Sequence, residues 1–251
     1  MAQPVVKVDL VDNVAIASKD LIAGEVILHE AAVASGPGRA GLPVCITCYN
    51  IVDGEYYCTG CSWQCCGEEC EQRDIHKEEC QVFSEREIYA SWDDVGTPTL
   101  SMDFMGPYRL LLAMKKDPKL KELLKLDMKN DLRKERFNIK YYVGCEDVIT
   151  QYIIEKCGLT GFSEEEILTA LGLFEVLGTP LHNGAKAFHP TTVYMKQSCT
   201  PNTYLAVEQD HSVSVRASVR IAKGEQVTRS LVDVMQFDQK ERTREIFLPQ
   251  L

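Results

Sequence analysis

Seven cysteines and one histidine between residues 45 and 80 fall into four closely spaced pairs. The pairs are Cys45 with Cys48, Cys58 with Cys61, Cys66 with Cys70, and His76 with Cys80. Each spacing lets two side chains reach one metal ion, and a structural zinc site takes four ligands in a tetrahedron. Eight ligands therefore predict two zinc ions, although spacing alone does not show which pairs share an ion.

The alternatives for this stretch are disulfide bonds or buried free thiols. The chain has 11 cysteines, an odd number, and Cys65 is surplus to the four pairs. Its first residues show no basic start followed by an apolar run, so we expect no secretory signal. A reducing compartment favours metal binding over disulfide formation.

The charge balance argues against a nucleic-acid partner. The net charge is -10, and the cysteine-rich stretch is itself acidic. Nonspecific nucleic-acid binding relies on Lys and Arg neutralising phosphates, so direct binding is not expected. No run approaches the roughly 18–20 apolar residues of a membrane helix, so we expect no membrane association through such a helix. A protein or peptide is the expected partner of the cysteine-rich stretch.

Strand patterns occur at both ends of the chain, and helical patterns lie between them. Residues 4–35, 191–194, 203–207 and 213–216 have the apolar and β-branched character of strands, with a hairpin turn at residues 210–211. Residues 103–180 are expected to be mostly helical, and Ser163 with Glu166 is a capping-box signature. This order predicts an α+β fold in which the terminal strands form one β-rich body.

Two smaller features complete the pattern. Similar sequences around Gly24 and Gly224 predict two similar tight turns. Residues 115–140 hold ten basic and five acidic side chains, which predicts a solvated pair of amphipathic helices. A basic patch for an acidic partner is the alternative for that run.

The order of the four metal-binding pairs resembles the MYND zinc finger. The resemblance implies a cross-braced arrangement, in which one ion is held by Cys45, Cys48, Cys66 and Cys70, and the other by Cys58, Cys61, His76 and Cys80. The gap between Cys70 and His76 is shorter than the usual family spacing, which affects the last turn and not the ligand set. Proline-containing or other short peptides, such as those of transcriptional corepressors, are the implied partners.

Residues 17–26, 198–202 and 224–233 resemble the SET domain of protein-lysine methyltransferases. A finger inserted after the first strands is the arrangement of SET and MYND domain-containing proteins, and the chain is similar to a divergent, arthropod-type, C-terminally truncated member. The resemblance implies a SET body at 1–42 and 181–251, a MYND finger at 43–82, a helical insert at 83–180, and no post-SET segment. No cysteine follows Cys199, so we expect Cys199 to be buried and not bound to a third zinc ion.

In that family the SET body binds S-adenosylmethionine and passes its methyl group to a lysine, in the nucleus or the cytoplasm. Lys196 and Gln197 stand where the family has Asn-His, and with Asn202 they are the candidate cofactor-binding residues. A lysine ammonium about 4 Å from the sulfonium would be repelled by up to about 4 kcal/mol. Residues 12–14 align with a family Gly-x-Gly turn, where the β-branched Val14 is poorly suited.

The positions that would perform the chemistry are also substituted. Leu231 occupies the place of the family tyrosine and Leu177 that of a further asparagine, and an alkyl side chain makes no hydrogen bond. The catalytic residue is therefore unknown, and Tyr194 and Tyr204 are the tyrosines that could take the role.

Two functions are compatible with these residues. One is a histone-type, S-adenosylmethionine-dependent lysine methyltransferase with weak or lost activity. The other, which the substitutions favour, is an inactive zinc-finger adaptor for corepressor or other peptides. His182 and His189 are expected to be loop residues and not catalytic bases.

Overall fold

The computed structural model describes residues 5–37, 43–89, 100–126 and 145–231. The strands in these ranges are β1 (Val5–Val6), β2 (Val8–Val11), β3 (Val14–Ala17), β4 (Val26–Glu30), β5 (Ala34–Gly36), β6 (Thr179–Pro180), β7 (Lys186–Phe188), β8 (Lys196–Gln197), β9 (Thr203–Val207), β10 (Val213–Ala217) and β11 (Thr228–Arg229). The α-helices are α1 (Glu68–Glu71), α2 (Asp74–Glu85), α3 (Leu100–Asp103), α4 (Met105–Lys116), α5 (Cys145–Gln151) and α6 (Glu164–Leu177). Short 3₁₀ helices span Pro118–Lys125, His182–Gly184 and Pro190–Tyr194, and a π-helical turn spans Tyr152–Lys156.

The described residues form two compact units. The β unit contains residues 5–33, 126 and 188–231, and the inserted unit contains residues 34–37, 43–89, 100–125 and 145–187. Strands from both ends of the chain meet in the β unit, while the cysteine-rich segment and the helices lie in the inserted unit. The predicted α+β fold, a β-rich body split by an insert, is confirmed, and the four predicted domain ranges stay predictions.

A four-stranded antiparallel sheet lies at the centre of the β unit, in the order β1-β4-β10-β9. Val215 of β10 lies opposite Leu28 on one side and Leu205 on the other. The core of this unit consists of Val8, Ala15, Ala17, Leu21, Ile27, Leu28, Met195, Val213, Val215, Ala217, Ile221 and Val227. Burial of this apolar set from distant parts of the sequence is what joins the chain ends.

Two similar turns bracket the β unit, as the sequence predicted. The amide of Gly24 donates to the carbonyl of Ala217 at 2.8 Å, and the amide of Gly224 donates to the carbonyl of Ala17 at 2.8 Å. The two glycines have φ angles of +83° and +82°, a left-handed conformation that favours glycine. The turns therefore use the same local geometry and the same type of long-range bond.

The predicted strands over 203–207 and 213–216 are confirmed, with the second continuing to Ala217. The turn between them is also confirmed. The carboxylate of Asp210 accepts hydrogen bonds from the amide and the hydroxyl of Ser212 at 3.0 and 2.6 Å. His211 supplies the left-handed residue, with a φ angle of +67°.

The predicted strand over residues 191–194 is wrong, because Pro190–Tyr194 forms a 3₁₀ helix. Pro190 begins this helix, and its fixed φ angle suits a first helical position. The carboxylate of Glu30, far away in the sequence, accepts from the amide and the hydroxyl of Thr191 at 3.1 and 2.6 Å. A proline start and a long-range cap thus override the β-branched pattern.

Aromatic rings form the centre of the inserted unit. Phe83 of α2 contacts Trp63, Phe104 and Tyr108, with ring centroids 5.7–6.2 Å apart. Tyr152 extends the cluster, since its centroid lies 4.8 Å from that of Phe104. The cysteine-rich segment and the helices α2 and α4 therefore share one core.

Most of the helical prediction for residues 103–180 is confirmed among the described residues. The capping box is present, because Ser163 N donates to Glu166 Oε2 at 2.7 Å and Glu166 N donates to Ser163 Oγ at 3.2 Å. The first part of the charged run forms the 3₁₀ helix Pro118–Lys125, while residues 127–140 lie outside the described residues. Residues 232 and 233 of the third SET-like segment also lie outside them.

Candidate metal centres and cofactor positions

Two turns of the same geometry present the first four cysteines. Around Cys45 and Cys48, the amide of Cys45 donates to Asn50 O at 2.8 Å, and Tyr49 N donates to Cys45 O at 3.0 Å. Tyr49 adopts a left-handed φ angle of +64°. Such a tight turn brings two cysteines of a Cys-x-x-Cys pair to the same side of the chain.

The second turn repeats these contacts around Cys58 and Cys61. The amide of Cys58 donates to Trp63 O at 2.8 Å, and Ser62 N donates to Cys58 O at 2.9 Å. Ser62, like Tyr49 in the first turn, is left-handed, with a φ angle of +61°. We call the two turns the first and second knuckles.

Helices supply the remaining four candidate ligands. Cys66 precedes α1 and Cys70 lies within it, whereas His76 and Cys80 lie one helical turn apart on α2. Side chains four residues apart project from the same face of a helix. The buried imidazole of His76 and the half-buried Cys80 therefore point toward one place.

The structure brings together the two sets that the resemblance implied. Centre 1 comprises Cys45, Cys48, Cys66 and Cys70, and centre 2 comprises Cys58, Cys61, His76 and Cys80. In each centre the ligand atoms lie within 4.8 Å of one another. The structure thus supplies two Cys/His clusters, each of which could hold one metal ion.

The distances within the clusters fit a tetrahedral zinc ion. Cys48 Sγ and Cys66 Sγ are 3.4 Å apart, and Cys58 Sγ and Cys80 Sγ are 3.5 Å apart. A tetrahedron with Zn–S bonds of about 2.3 Å separates its sulfurs by about 3.8 Å. No disulfide joins any cysteine whose side chain the structure describes.

Cys65 is a neighbour of centre 1 and not one of its four ligands. Its side chain is buried and hydrogen-bonded to Cys45. This hydrogen bond and burial raise the pKa of the Cys65 thiol, while hydrogen bonds from Cys48 and Cys65 lower the pKa of Cys45. Since metal ligands must be thiolates, Cys65 is suited to keeping its proton and donating a hydrogen bond to the Cys45 thiolate.

The candidate cofactor residues lie on two short strands of the β unit. β8 and β11 pair in parallel, with Lys196 opposite Thr228 and Gln197 opposite Arg229. Lys196 is exposed, whereas Gln197 is half-buried and its Oε1 accepts a hydrogen bond from the amide of Leu231. The side-chain carbonyl of Gln197 is thus bonded to the residue that stands in the place of the family tyrosine.

The side-chain amide of Asn202 makes hydrogen bonds to other residues of the chain. Its Nδ2 donates to Gln226 O at 2.8 Å, and its Oδ1 accepts from the amide and the hydroxyl of Thr228 at 2.8 and 2.9 Å. Asn202 therefore fastens the segment before β9 to β11. A role for Lys196, Gln197 or Asn202 in cofactor binding stays a prediction.

The hairpin aligned with the family Gly-x-Gly turn is a tight two-residue turn between β2 and β3. Val11 pairs with Val14, and the central residues Asp12 and Asn13 have φ angles of +50° and +60°. Both angles positive is the geometry of a type I′ turn, which Asn and Asp tolerate. Leu177 is the last residue of α6 and is half-buried.

The other candidates occupy different environments. Tyr194 packs partly buried against the core of the β unit, while Tyr204 is exposed on β9. His182 lies in a short 3₁₀ helix with its Nε2 2.9 Å from Cys48 O, and His189 is buried. Cys199 is half-buried, so its predicted burial is only partial.

The sequence of this chain is similar to that of a curated SET domain-containing protein. No family model matches. It is 24% identical over 243 residues to the SET domain-containing protein SmydA-8, isoform A, of Drosophila melanogaster, covering 92% of this chain and 50% of that protein. The chain resembles SET-and-MYND proteins. It spans about half the length of this curated relative.

One solved structure also overlaps much of this SET-and-MYND-like chain. It is the crystal structure of the SET domain of LSMT bound to lysine and AdoHcy, with 12% identity and a TM-score of 0.42, covering 93% of this chain and 50% of that one. None of the described helices combines the length and the apolar character that crossing a lipid bilayer requires.

Sequence reasoning missed two residues beside the metal centres, Glu79 and Arg109. Glu79 is fully buried between His76 and Cys80 on α2, and Arg109 is buried on α4. A signal existed, because Arg109 is a single charge inside the apolar stretch 104–114. Buried arginines are rare unless they are paired.

Proposed function

We propose that the chain is a protein-interaction module in which two zinc ions shape a MYND-type finger. The observation that carries the proposal is the convergence of four Cys or His ligands in each of two clusters. Thiolate and imidazole ligands are those that structural zinc prefers. The ions would hold the two knuckles against α1 and α2, because each centre combines one knuckle with residues of or next to one helix.

Zinc analysis of variants tests this first step. Protein purified under reducing conditions should carry two zinc ions per chain. Cys66→Ser and Cys80→Ser should each lose one ion, from centre 1 and centre 2 respectively. Cys65→Ser is the matched control and should keep both, because Cys65 is not a ligand. A wild-type protein without zinc would contradict the proposal.

The surface of the finger supports a peptide partner. Glu68, Glu69, Asp74 and Glu78 are exposed around α1 and α2. They outnumber the exposed Arg73 and Lys77, although Glu78 is paired with Lys116. Such an acidic surface repels the phosphates of nucleic acids, and it attracts peptides that carry basic residues. We infer short peptides of corepressors or other proteins as the partners, with a role in transcription regulation.

Fluorescence anisotropy with labelled proline-containing peptides, with and without flanking basic residues, tests the peptide role. Zinc-loaded protein should bind them, and the chelated protein should not. If binding is unchanged after zinc removal, the finger is not the binding site. A scrambled peptide of equal charge separates sequence recognition from simple electrostatic attraction.

We further propose that methyl transfer by this chain is weak or absent. Three observations support this. Leu231 has no hydroxyl, the Gln197 carbonyl is bonded to Leu231 N, and the Asn202 amide is bonded to Gln226 and Thr228. The exposed ammonium of Lys196 adds a positive charge that would repel a sulfonium.

Calorimetry with S-adenosylmethionine tests this second step. The wild-type chain should bind it weakly or not at all, and a low micromolar dissociation constant would overturn the proposal. The double substitution Lys196→Asn and Gln197→His restores the family residues, and it should strengthen binding. Lys223→Asn, which removes a lysine from a turn of the same unit, should leave binding unchanged.

Lysine methylation is the second candidate function, and the similarity to a SET domain-containing protein over 92% of the chain favours it. A radiolabelled methyl-transfer assay on histones and on lysine peptides tests it. If the chain transfers methyl groups and Tyr194→Phe or Tyr204→Phe abolishes the transfer, that tyrosine takes the role of the family tyrosine whose place Leu231 occupies. Absence of transfer would leave the adaptor function.

A further inference from the structure

Arg109 makes five hydrogen bonds from a position that is almost fully buried. Its Nε donates to Glu79 Oε2 at 2.8 Å, and its Nη2 donates to the other carboxylate oxygen. Nη1 donates to Ser35 O and Tyr49 Oη, both at 2.9 Å, and Nη2 also reaches Ile46 O at 3.0 Å. Every nitrogen of the guanidinium is therefore bonded, and its charge is matched by one carboxylate.

The Glu79 side of this network leads to centre 2. Glu79 Oε1 lies 3.5 Å from His76 Nδ1, and both side chains are fully buried. The other ring nitrogen, Nε2, lies 3.6 Å from Cys61 Sγ inside the centre. His76 Nδ1 is buried and has no hydrogen-bond partner among the residues that the structure describes, and the Glu79 carboxylate is the group that faces it. A carboxylate that accepts a hydrogen bond from a ligating imidazole fixes the orientation and the tautomer of the ring.

The opposite side of the network leads to centre 1. Ile46 directly follows Cys45, and Tyr49 directly follows Cys48, so Arg109 contacts a residue next to each cysteine of the first knuckle. Tyr49 Oη also donates to Ser35 Oγ at 2.8 Å. The knuckle is thus fixed to α4 on both sides of its turn.

We propose that Arg109 and Glu79 are positioning residues shared by the two metal centres, so that filling one centre favours filling the other. The proposal rests on the proposed zinc binding. When a metal ion draws His76 into centre 2, it fixes the ring against Glu79. Glu79 then holds Arg109 in the orientation in which it supports the first knuckle. When a metal ion fills centre 1 first, the ordered first knuckle holds Arg109 in place. Arg109 then holds Glu79 in the position in which it orients His76 for centre 2.

The test removes both charges together. Removing only one partner of a buried ion pair leaves an uncompensated charge, whereas replacing both is often tolerated. The variant is therefore Glu79→Gln with Arg109→Met. The control is Lys116→Met, which removes the exposed ion pair between Lys116 of α4 and Glu78 of α2 and so breaks a contact between the same two helices.

Competition with a chromophoric chelator measures the zinc affinity of each centre, and circular dichroism reports whether each variant is folded. Cys66→Ser and Cys80→Ser, in each background, leave one centre intact for separate measurement. We expect the double variant to bind zinc about 10- to 100-fold more weakly at both centres, as losses of outer-shell partners typically do. The Lys116→Met control should keep both wild-type affinities.

The decisive quantity is the coupling between the centres. In the wild-type background, Cys66→Ser should weaken zinc binding at centre 2, and in the double variant it should not weaken it further. Three results would overturn the shared role while leaving zinc binding intact. They are wild-type zinc affinities in the double variant, a loss of affinity at one centre only, and an effect of Cys66→Ser on centre 2 that is the same in both backgrounds. A wild-type chain that binds no zinc would overturn the zinc proposal and this one with it.

Discussion

Leu21 and Ile221 exchange two backbone hydrogen bonds in the β unit. Leu21 N donates to Ile221 O at 2.9 Å, and Ile221 N donates to Leu21 O at 3.1 Å. Both side chains are fully buried in the core. This reciprocal pair joins the two similar turns at Gly24 and Gly224, so residues from the two ends of the chain depend on each other.

The first prediction concerns these two glycines. A Cβ atom at Gly24 or Gly224 would meet no other atom within 4 Å, so substitution affects only the backbone. Because both φ angles are left-handed, Gly24→Ala and Gly224→Ala should each lower the free energy of unfolding by about 1–2 kcal/mol. Asparagine tolerates this conformation better, so Gly24→Asn should cost less. Urea unfolding followed by circular dichroism measures the effect. Alanine variants with the wild-type free energy of unfolding would contradict the prediction.

The second prediction concerns the contact between α4 and α6. A Cβ atom on Gly106 would lie 2.1 Å from Cε1 of Phe174, which is too close for any unshifted side chain. Gly106→Ala should therefore destabilise the inserted unit by about 1–3 kcal/mol through overpacking. Phe174→Leu in the same chain should recover part of the loss, because the shorter side chain makes room. Thermal unfolding measures the stability of the two single variants and of the double variant. If the stability loss of the double variant equals the sum of the two single losses, the contact is not the cause.

The third prediction is a pH dependence of the β unit. Burial lowers the pKa of His189 to about 4 from its ordinary value of 6.5, while its Nε2 donates to His211 O at 2.9 Å. Between these two values the unfolded chain binds more protons than the folded one, so stability is lost as the pH falls from about 6.5 toward 4. The loss from this residue alone should reach about 3 kcal/mol.

His189→Gln is the matched variant, because glutamine can donate to His211 O and does not titrate. Burial raises the pKa of Glu30, which acts in the opposite direction, but Glu30 is present in both proteins and its effect cancels in the comparison. Urea unfolding at several pH values should show a steeper decline for the wild type than for the variant. Parallel pH profiles would rule out His189 as the source.

The fourth prediction concerns metal removal. Trp63 lies in the second knuckle segment, fully buried, with its Nε1 donating to Ile88 O at 2.7 Å. Because metal binding supplies folding free energy to small cysteine-rich modules, a strong chelator should expose this indole. The fluorescence of a Trp92→Phe chain, in which Trp63 is the remaining tryptophan, should shift to longer wavelength on chelation and return with zinc. An unchanged spectrum after complete zinc removal would mean that the aromatic core alone holds the segment.

Much of the inserted unit could be predicted from local spacing. The eight ligands follow from the intervals between Cys45 and Cys80, but the division into two sets came only from the MYND resemblance, because spacing does not fix which turns meet. The capping box at Ser163 was readable for the same local reason. Arg109 was visible as an isolated charge in an apolar stretch, but its partners, distant in the sequence, were not.

The wrong strand prediction over residues 191–194 has its physical origin in a long-range contact. Thr191 and its neighbours have the composition of a strand, yet the carboxylate of Glu30 caps them as a 3₁₀ helix. The cofactor role of Asn202 stays a prediction from its place in a motif, and its hydrogen bonds to Gln226 and Thr228 could not be predicted because they arise from the pairing of distant segments. A sequence pattern describes local preference, and these contacts depend on the assembled β unit.

Native mass spectrometry of the full chain, titrated with S-adenosylmethionine, tests the central claim most directly. The claim is that two metal-centred knuckles shape a binding finger, and that the SET-like body of the same chain does not hold a methyl donor. We predict the mass of the chain plus two zinc ions, with no adduct of the methyl donor at micromolar concentrations. A chain without two zinc ions, or a stoichiometric adduct with S-adenosylmethionine, would contradict the claim.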